Sequence, residues 1–304
     1  MTDYGHDLLF GLFVTPDATN ARHVLELAET ADRAGLDLVT FQDHPYQPAF
    51  FDTWTLLSYA AARTEKVRLA GNVLNLPLRP PAMLAKAAAS LDILSGGRFE
   101  LGIGAGGFWD GIAAMGGRRL TPGQSIDALR EAIEIIRDLW DTDAARAVRH
   151  DGRYYQAVGV RRGPRPAHDI GIWIGAYKPR ILELVGAVGD GWLPTLDFLL
   201  RRGGSPLDES NARIDEAAEA AGRSPAAVRR LVNIMRPEFS PVSRGLLTGP
   251  PRQWVEQLAG LALDHGISGF IIGGDDPATA ERFAAEVAPA VRELVAAERG
   301  KKSA

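Results

Sequence analysis

Strand and helix signals alternate along the whole chain, and no other feature restricts its fold as much. Short β-rich runs cover residues 8–14, 36–41, 67–73, 98–103, 171–175, 191–194, 230–235 and 269–273. Helical apolar spacing fills the intervals at 20–34, 52–63, 83–94, 125–140, 179–188, 210–221, 254–265 and 277–298. The boundaries carry suitable residues. Asn20 is placed to cap the first helix and Asp52 or Thr53 the second, while Pro81 suits a first helical turn. Gly35, Gly96-Gly97 and Gly222 stand just past helix ends. Eight strands alternating with eight helices build a parallel sheet with crossover helices. Either an open doubly wound sheet or a closed barrel satisfies that pattern.

Three stretches break the rhythm. Residues 104–123 form a long segment after the fourth strand. Residues 147–166 contain Asp151-Gly152, a hairpin signal, and 236–251 form a second long loop. A further loop, 201–208, is rich in glycine and charge. The length of 304 residues suits one (β/α)8 barrel of about 250 residues plus such insertions, and 46% apolar residues can fill its core. A net charge of −4 with both signs intermixed argues against nucleic acid as a partner. The absence of cysteine excludes disulfides and thiolate chemistry. No leader pattern and no membrane-length apolar run is visible, so a soluble cytoplasmic protein is expected.

Several residues could carry chemistry. Asp43-His44 follows the second strand, and histidine exchanges protons near neutral pH; the alternative is a loop histidine with Asp43 satisfying backbone amides. Gly102-Ile103-Gly104-Ala105-Gly106-Gly107 fits GxGxxG formally. The next good helix, however, begins only near Ser125, so this is not a dinucleotide fingerprint. It reads better as a loop whose amides approach a phosphate or a sugar-alcohol chain without a Cβ in the way. Gly175-Ala176-Tyr177-Lys178-Pro179 leads from a strand into a helix, where free amides and a positive dipole end offer an anion site; a plain connection is the alternative. Tyr46, Phe50, Phe51, Trp54, Phe108 and Trp109 can wall a pocket or simply pack, whereas Trp173 and Trp192 read as core. The remaining histidines form no metal constellation.

RLAGNVLNLPLRPPAMLAKAAASLDILSGGRFELGIGAG at 68–106, QDHP at 42–45 and GIWIGAYKPRILELVGAVGDGW at 171–192 resemble the luciferase-like monooxygenase superfamily of flavin- or deazaflavin-dependent oxidoreductases. The resemblance implies one luciferase-like TIM barrel domain over 1–304, with its active site at the carboxyl ends of the strands. It makes His44 the acid/base residue and puts Asp43 beside the redox ring. A non-prolyl cis peptide between Asn72 and Val73 would lie under that ring. It shares the cofactor phosphate between Ala105, Gly106 and Gly107 and the segment Gly175, Ala176, Tyr177 and Lys178. Tyr46, Phe108 and Trp109 then line the substrate pocket. Arg79, Lys178 and Arg180 would form a basic path for an acidic cofactor tail. Gly107 departs from the pattern, since many deazaflavin relatives place a glutamate there as proton donor; Asp110 is the candidate replacement. Three activities follow: hydride transfer between coenzyme F420 and a small organic substrate, FMN-dependent monooxygenation, or a catalytically silent flavin-binding barrel. The resemblance also suggests a homodimer.

Overall fold

The computed structural model describes residues 3–200 and 206–303. Its eight principal strands are β1 (Leu9–Val14), β2 (Leu38–Phe41), β3 (Arg68–Gly71), β4 (Phe99–Gly104), β5 (Ile172–Ile174), β6 (Gly191–Trp192), β7 (Arg229–Ile234) and β8 (Gly269–Gly273). Each pairs in parallel with the next, and β8 returns to β1, with Leu9 opposite Gly269 and Phe13 opposite Gly273. The sheet is therefore a closed barrel, and the doubly wound alternative falls. Flanking it are α1 (Ala21–Ala34), α2 (Thr53–Arg63), α3 (Pro81–Ser95), α4 (Pro122–Trp140), α5 (Pro179–Val188), α6 (Pro206–Ala220) and α7 (Pro251–His265). A final helical run extends from Pro277 to Ser303 through one π-helical turn at Phe283–Val287.

Strand side chains alternate between two cores, as the period of two requires. Phe10, Leu12 and Val14 join the large cluster under the helices, together with Leu69, Ile172, Ile174, Val232 and Ile272. The intervening Phe13, Ala70, Trp173, Leu231 and Ile271 form a smaller cluster with Leu38 and Leu193 inside the barrel. Burial on both faces explains why these strands read as continuous apolar runs. Where strands approach most closely no side chain fits: a Cβ on Gly102 would lie 1.9 Å from the Gly71 carbonyl oxygen.

Helix punctuation follows the sequence at most sites. Asp52 caps α2 by accepting from the Thr55 amide, and Gly35, Gly96 and Gly266 end their helices in the left-handed conformation. Asn20 makes no capping bond. A 3-10 turn, Ala18–Asn20, precedes α1, and Asp17 caps that turn instead. The segment 104–123 is not all loop, for it carries a short helix at Trp109–Ala114. The hairpin at Asp151-Gly152 pairs Val148–Asp151 with Gln156–Val160. In 236–251 the pairs Glu238–Phe239 and Thr248–Gly249 lie side by side, and Phe239 stacks on Trp254 with ring centroids 4.0 Å apart. Of the loop expected at 201–208, residues 201–205 lie outside the described residues, while Pro206, Leu207 and Asp208 belong to α6. Among the described residues no helix is long and apolar enough to cross a membrane.

Candidate active site

A cavity of about 550 Å³ opens at the carboxyl ends of the strands. Its lining residues follow directly on strand ends: Gln42 after β2, Asn72 after β3, Ala105 after β4, Gly175 after β5, Leu193 after β6 and Met235 after β7. The segments 104–107 and 175–178 thus face one cavity from neighbouring strands, as expected. The opposite end of the barrel has a larger hollow of about 760 Å³ near Trp140 and His168. Most of its charged groups are paired, Arg137 with Asp190, Arg165 with Asp143 and His168 with Asp92. Bounded by such internal pairs, and remote from the glycine loops, that hollow is not the site we assign.

The Asn72-Val73 peptide is cis, at the predicted position. The Asn72 amide nitrogen donates to Asn233 Oδ1 at 2.7 Å and to Thr40 Oγ1 at 3.1 Å, and the Asn233 amide returns a bond to Asn72 Oδ1 at 3.0 Å. Val73 projects beneath the glycine loops. A Cβ on Gly104 would lie 2.7 Å from Val73 Cγ2, and one on Gly175 would lie 3.2 Å away. Gly106 has φ +95°, which disfavours a side chain, and a Cβ there would meet Pro77 at 2.8 Å. Gly104 and Gly175 thus leave the space that Val73 fills, and Gly106 holds a backbone conformation closed to a side chain.

Asp43 and His44 diverge although adjacent. The Asp43 carboxylate is buried and accepts from Arg79 Nε at 2.7 Å, Arg79 Nη2 at 2.8 Å and the Asn75 amide at 2.8 Å. Arg79 also donates to Asp52 at 2.7 Å. Arg79 is therefore engaged by two carboxylates and is not a free rim cation, and Asp43 braces the loop, as its amide-satisfying alternative foresaw. His44 is half-buried, lines the cavity, and among the described residues neither ring nitrogen has a hydrogen-bond partner. Burial lowers its pKa, and the Asp43 charge opposes that shift only in part. The ring stacks on Tyr46 at 5.6 Å and meets Phe108 edge-on at 5.3 Å. Burial, aided by Asp43, pushes the Tyr46 hydroxyl up to about 12, so it stays protonated.

Across the cavity, Lys178 precedes α5 without a side-chain cap, and the amides of the first turn have no helical acceptor. Lys178 is exposed at the rim and, among the described residues, makes no ion pair. Arg180 turns away to Asp127. The Ala176 carbonyl accepts from Trp192 Nε1 at 2.9 Å, and the Tyr177 hydroxyl accepts from the Thr195 amide at 2.8 Å; both bonds fix the loop. The basic path expected from Arg79, Lys178 and Arg180 thus reduces to Lys178.

Asp110 does not replace the missing acid. Its side chain is 98% exposed and pairs with Arg119. Phe108 and Tyr46 line the cavity, but Trp109 lies in a shallow side pocket with Gln47 and Arg119. Phe51 and Trp54 pack against the large core, Trp54 edge-on to Phe99 at 5.4 Å, and Phe50 forms an isolated bridge with Asp17. Phe13, Leu193, Thr195, Asn233 and Met235 also line the cavity, and the one signal they share is a place on or shortly after a strand. Asn75 Oδ1 is buried there with no partner, an acceptor left for a ligand.

The fold and the chain have clear relatives. F420-dependent glucose-6-phosphate dehydrogenase of Amycolatopsis mediterranei (strain U-32) is 31% identical over 235 residues, covering 75% of this chain and 68% of its own. The enzyme of the same name from Nocardia farcinica (strain IFM 10152) is 31% identical over 240 residues, with the same coverage. In structure, an F420-dependent secondary alcohol dehydrogenase in complex with an F420-acetone adduct superposes with TM-score 0.81 at 19% identity, covering 94% of this chain and 99% of that one. Monooxygenase RslO1 from Streptomyces bottropensis gives TM-score 0.77 at 21% identity, covering 93% and 99%. The luciferase-like monooxygenase family model matches residues 3–235, and with the barrel, the glycine cradle and these relatives together, the chain belongs to that family.

Proposed function

We propose that this chain is an oxidoreductase that uses the deazaflavin coenzyme F420 for hydride transfer with a small organic substrate, His44 managing the proton. The observation that carries the reading is one cavity with an unpaired histidine on one wall and an amide-rich anion cradle on another. The identity to F420-dependent dehydrogenases over most of the chain supports the choice of cofactor. When bound, the deazaflavin ring supplies the two-electron hydride chemistry. The chain's residues bind and orient. Ala105, Gly106, Gly107, Gly175, Ala176 and Tyr177 present the cradle, and Lys178 adds charge at its rim. Asn72 and Val73 support the ring from below. Asp43 acts through Arg79 and Asn75 to hold the loop that carries His44. Tyr46 and Phe108 exclude water from the histidine, and Trp109 backs them from outside the cavity. Residues 1–304 act as one barrel domain, the last helix being tied back to β1 and β2 through Arg292 and Asp37.

Titration of the purified protein with coenzyme F420 and with FMN, read by fluorescence quenching, tests this. Micromolar binding of F420 and much weaker binding of FMN is the expected result; the reverse order overturns it. The FMN monooxygenase reading retains one specific observation, the lack of a carboxylate at Gly107 beside an aromatic lining. A silent barrel would have a blocked mouth, which an open cavity of about 550 Å³ does not favour. We also propose a homodimer through α2 and α3, where Tyr59, Met83, Ile93 and Leu94 are exposed.

A further inference from the structure

We infer that Asn233 is a hydrogen-bond donor to the bound cofactor: one side-chain N–H is held on the cavity floor for an oxygen or nitrogen of the ring, and it favours the reduced ring. The inference rests on the reading above that a flavin-type ring occupies this cavity.

The side chains inside the barrel change character at one level. Leu38, Ala70 and Leu231 belong to the inner apolar cluster, and two residues further along each strand stand Thr40, Asn72 and Asn233. A period of two keeps all of them on the inner face, so three polar side chains form the layer directly above an apolar one. β3 and β7 lie four strands apart in the closed barrel of eight, and the Asn72–Asn233 pair therefore crosses the bore. Thr40 is 0% exposed, Asn233 3% and Asn72 8%. Apolar side chains would fill this layer without the cost of burying polar groups. Asn72 and Asn233 line the cavity above it.

The bonds fix which way each carboxamide faces. The Leu12 carbonyl can only accept, so Thr40 gives it the one hydroxyl hydrogen, at 3.1 Å. The Thr40 oxygen then accepts, which makes the Asn72 atom 3.1 Å from it the nitrogen. The other hydrogen of that nitrogen goes to Asn233 Oδ1 at 2.7 Å. Asn233 Nδ2 in turn donates to Asn72 Oδ1 at 3.0 Å. Exchanging N and O in either carboxamide would set donor against donor and acceptor against acceptor. One hydrogen of Asn233 Nδ2 is left, and nothing among the described residues accepts it. A buried donor of fixed polarity without a partner calls for one.

The partner comes from above, because the apolar layer closes the bore below. A hydride brings two electrons and a proton to a flavin-type ring, and the oxygens and nitrogens conjugated with the reacting atom take up the negative charge. A donor already fixed at one of them holds the reduced ring more tightly than the oxidised one.

The test begins with fluorescence titration of coenzyme F420 and of FMN; failure of both to bind removes the reading above and this inference with it. The chain has five asparagines, so protein labelled with 15N at asparagine gives a simple side-chain NMR spectrum. The Asn233 pair of signals is identified by its loss in Asn233→Asp. Saturation with the ring that binds should move the second Asn233 hydrogen downfield, into the hydrogen-bonded range. Asn233→Asp is isosteric and, charged or neutral, lacks that hydrogen. It should weaken the reduced cofactor about tenfold more than the oxidised one, and so make the bound cofactor harder to reduce. A bound ring that leaves both Asn233 hydrogens unmoved overturns the inference. So does an Asn233→Asp protein that folds and keeps the wild-type ratio of the two affinities.

Discussion

His44 shows how a single side chain is prepared by its surroundings. Burial favours the neutral imidazole, so its protonation midpoint falls below the ordinary value near 6.5. Substrate oxidation that sheds a proton to His44 needs that neutral form as proton acceptor. Its kcat/KM should stay level from pH 7 down past 6.5 and fall only at a lower pH, while the reverse reduction should gain over the same acid limb. A pH profile in both directions checks the sign; a midpoint above 6.5 for oxidation contradicts it. His44→Gln should lower kcat by about 10²–10⁴-fold with little change in F420 affinity, and unchanged turnover would remove the assignment. The Asp43-His44 pair was legible because its members are adjacent after a strand. The bracing of Asp43 by Arg79 was not, since the partner lies 36 positions away and arginine there suggested a cofactor contact. The Asn72–Asn233 pair spans 161 positions, and an asparagine inside a strand carries no sign of its partner.

At the scale of elements, the glycine loops and the Val73 bulge depend on one another. Gly104→Ala places a methyl group 2.7 Å from Val73 Cγ2, a clash that should cost about 1–3 kcal/mol and weaken cofactor binding. Gly107→Ala is the control, because a Cβ there meets nothing within 4 Å and its φ is not positive. Thermal melts of the two variants should separate clearly, and equal melting temperatures would dismiss the packing argument. The barrel strands were legible because both faces are buried, which turns each into a short apolar run between turn residues. The insertions were less so. The helix Trp109–Ala114 is brief and bounded by glycines, and the small pairing at Glu238–Phe239 depends on Phe239 stacking against Trp254, a contact made only after folding. A hairpin between β4 and β5 needs a tie back to the barrel, and His168 supplies one. Its Nδ1 lies 2.8 Å from Asp92 and its Nε2 3.5 Å from Glu100. Hydrogen bonding to Glu100 raises its pKa against burial, so its stabilising contribution is complete below about 6.5 and fades as pH rises through the raised folded value. Denaturant midpoints above pH 6.5 should fall for the wild type relative to His168→Gln, which lacks that titration.

At the scale of the molecule, the helical ring is not equally polar all round. In α3, Met83, Ala87, Ser90 and Leu94 follow the spacing i, i+4, i+7, i+11 and form one stripe. Met83 is 66% exposed and Leu94 85%, and neighbouring α2 adds Tyr59 at 55%. An outward helix face in a lone barrel would be expected to carry charge, yet this stripe has only Lys86 at its margin. Covering Leu94 alone is worth about 1.5–3 kcal/mol, so a second copy placing the same stripe against this one gains twice by symmetry. The chain mass is 32.7 kDa, and light scattering at micromolar concentration should return twice that value. Leu94→Glu should return the single-chain mass, because two carboxylates would then face one another across the axis. Fold and cofactor binding should persist in that variant, since Leu94 touches neither the barrel interior nor the cavity. A wild-type protein already at the single-chain mass would sink the dimer and leave the apolar stripe without an explanation.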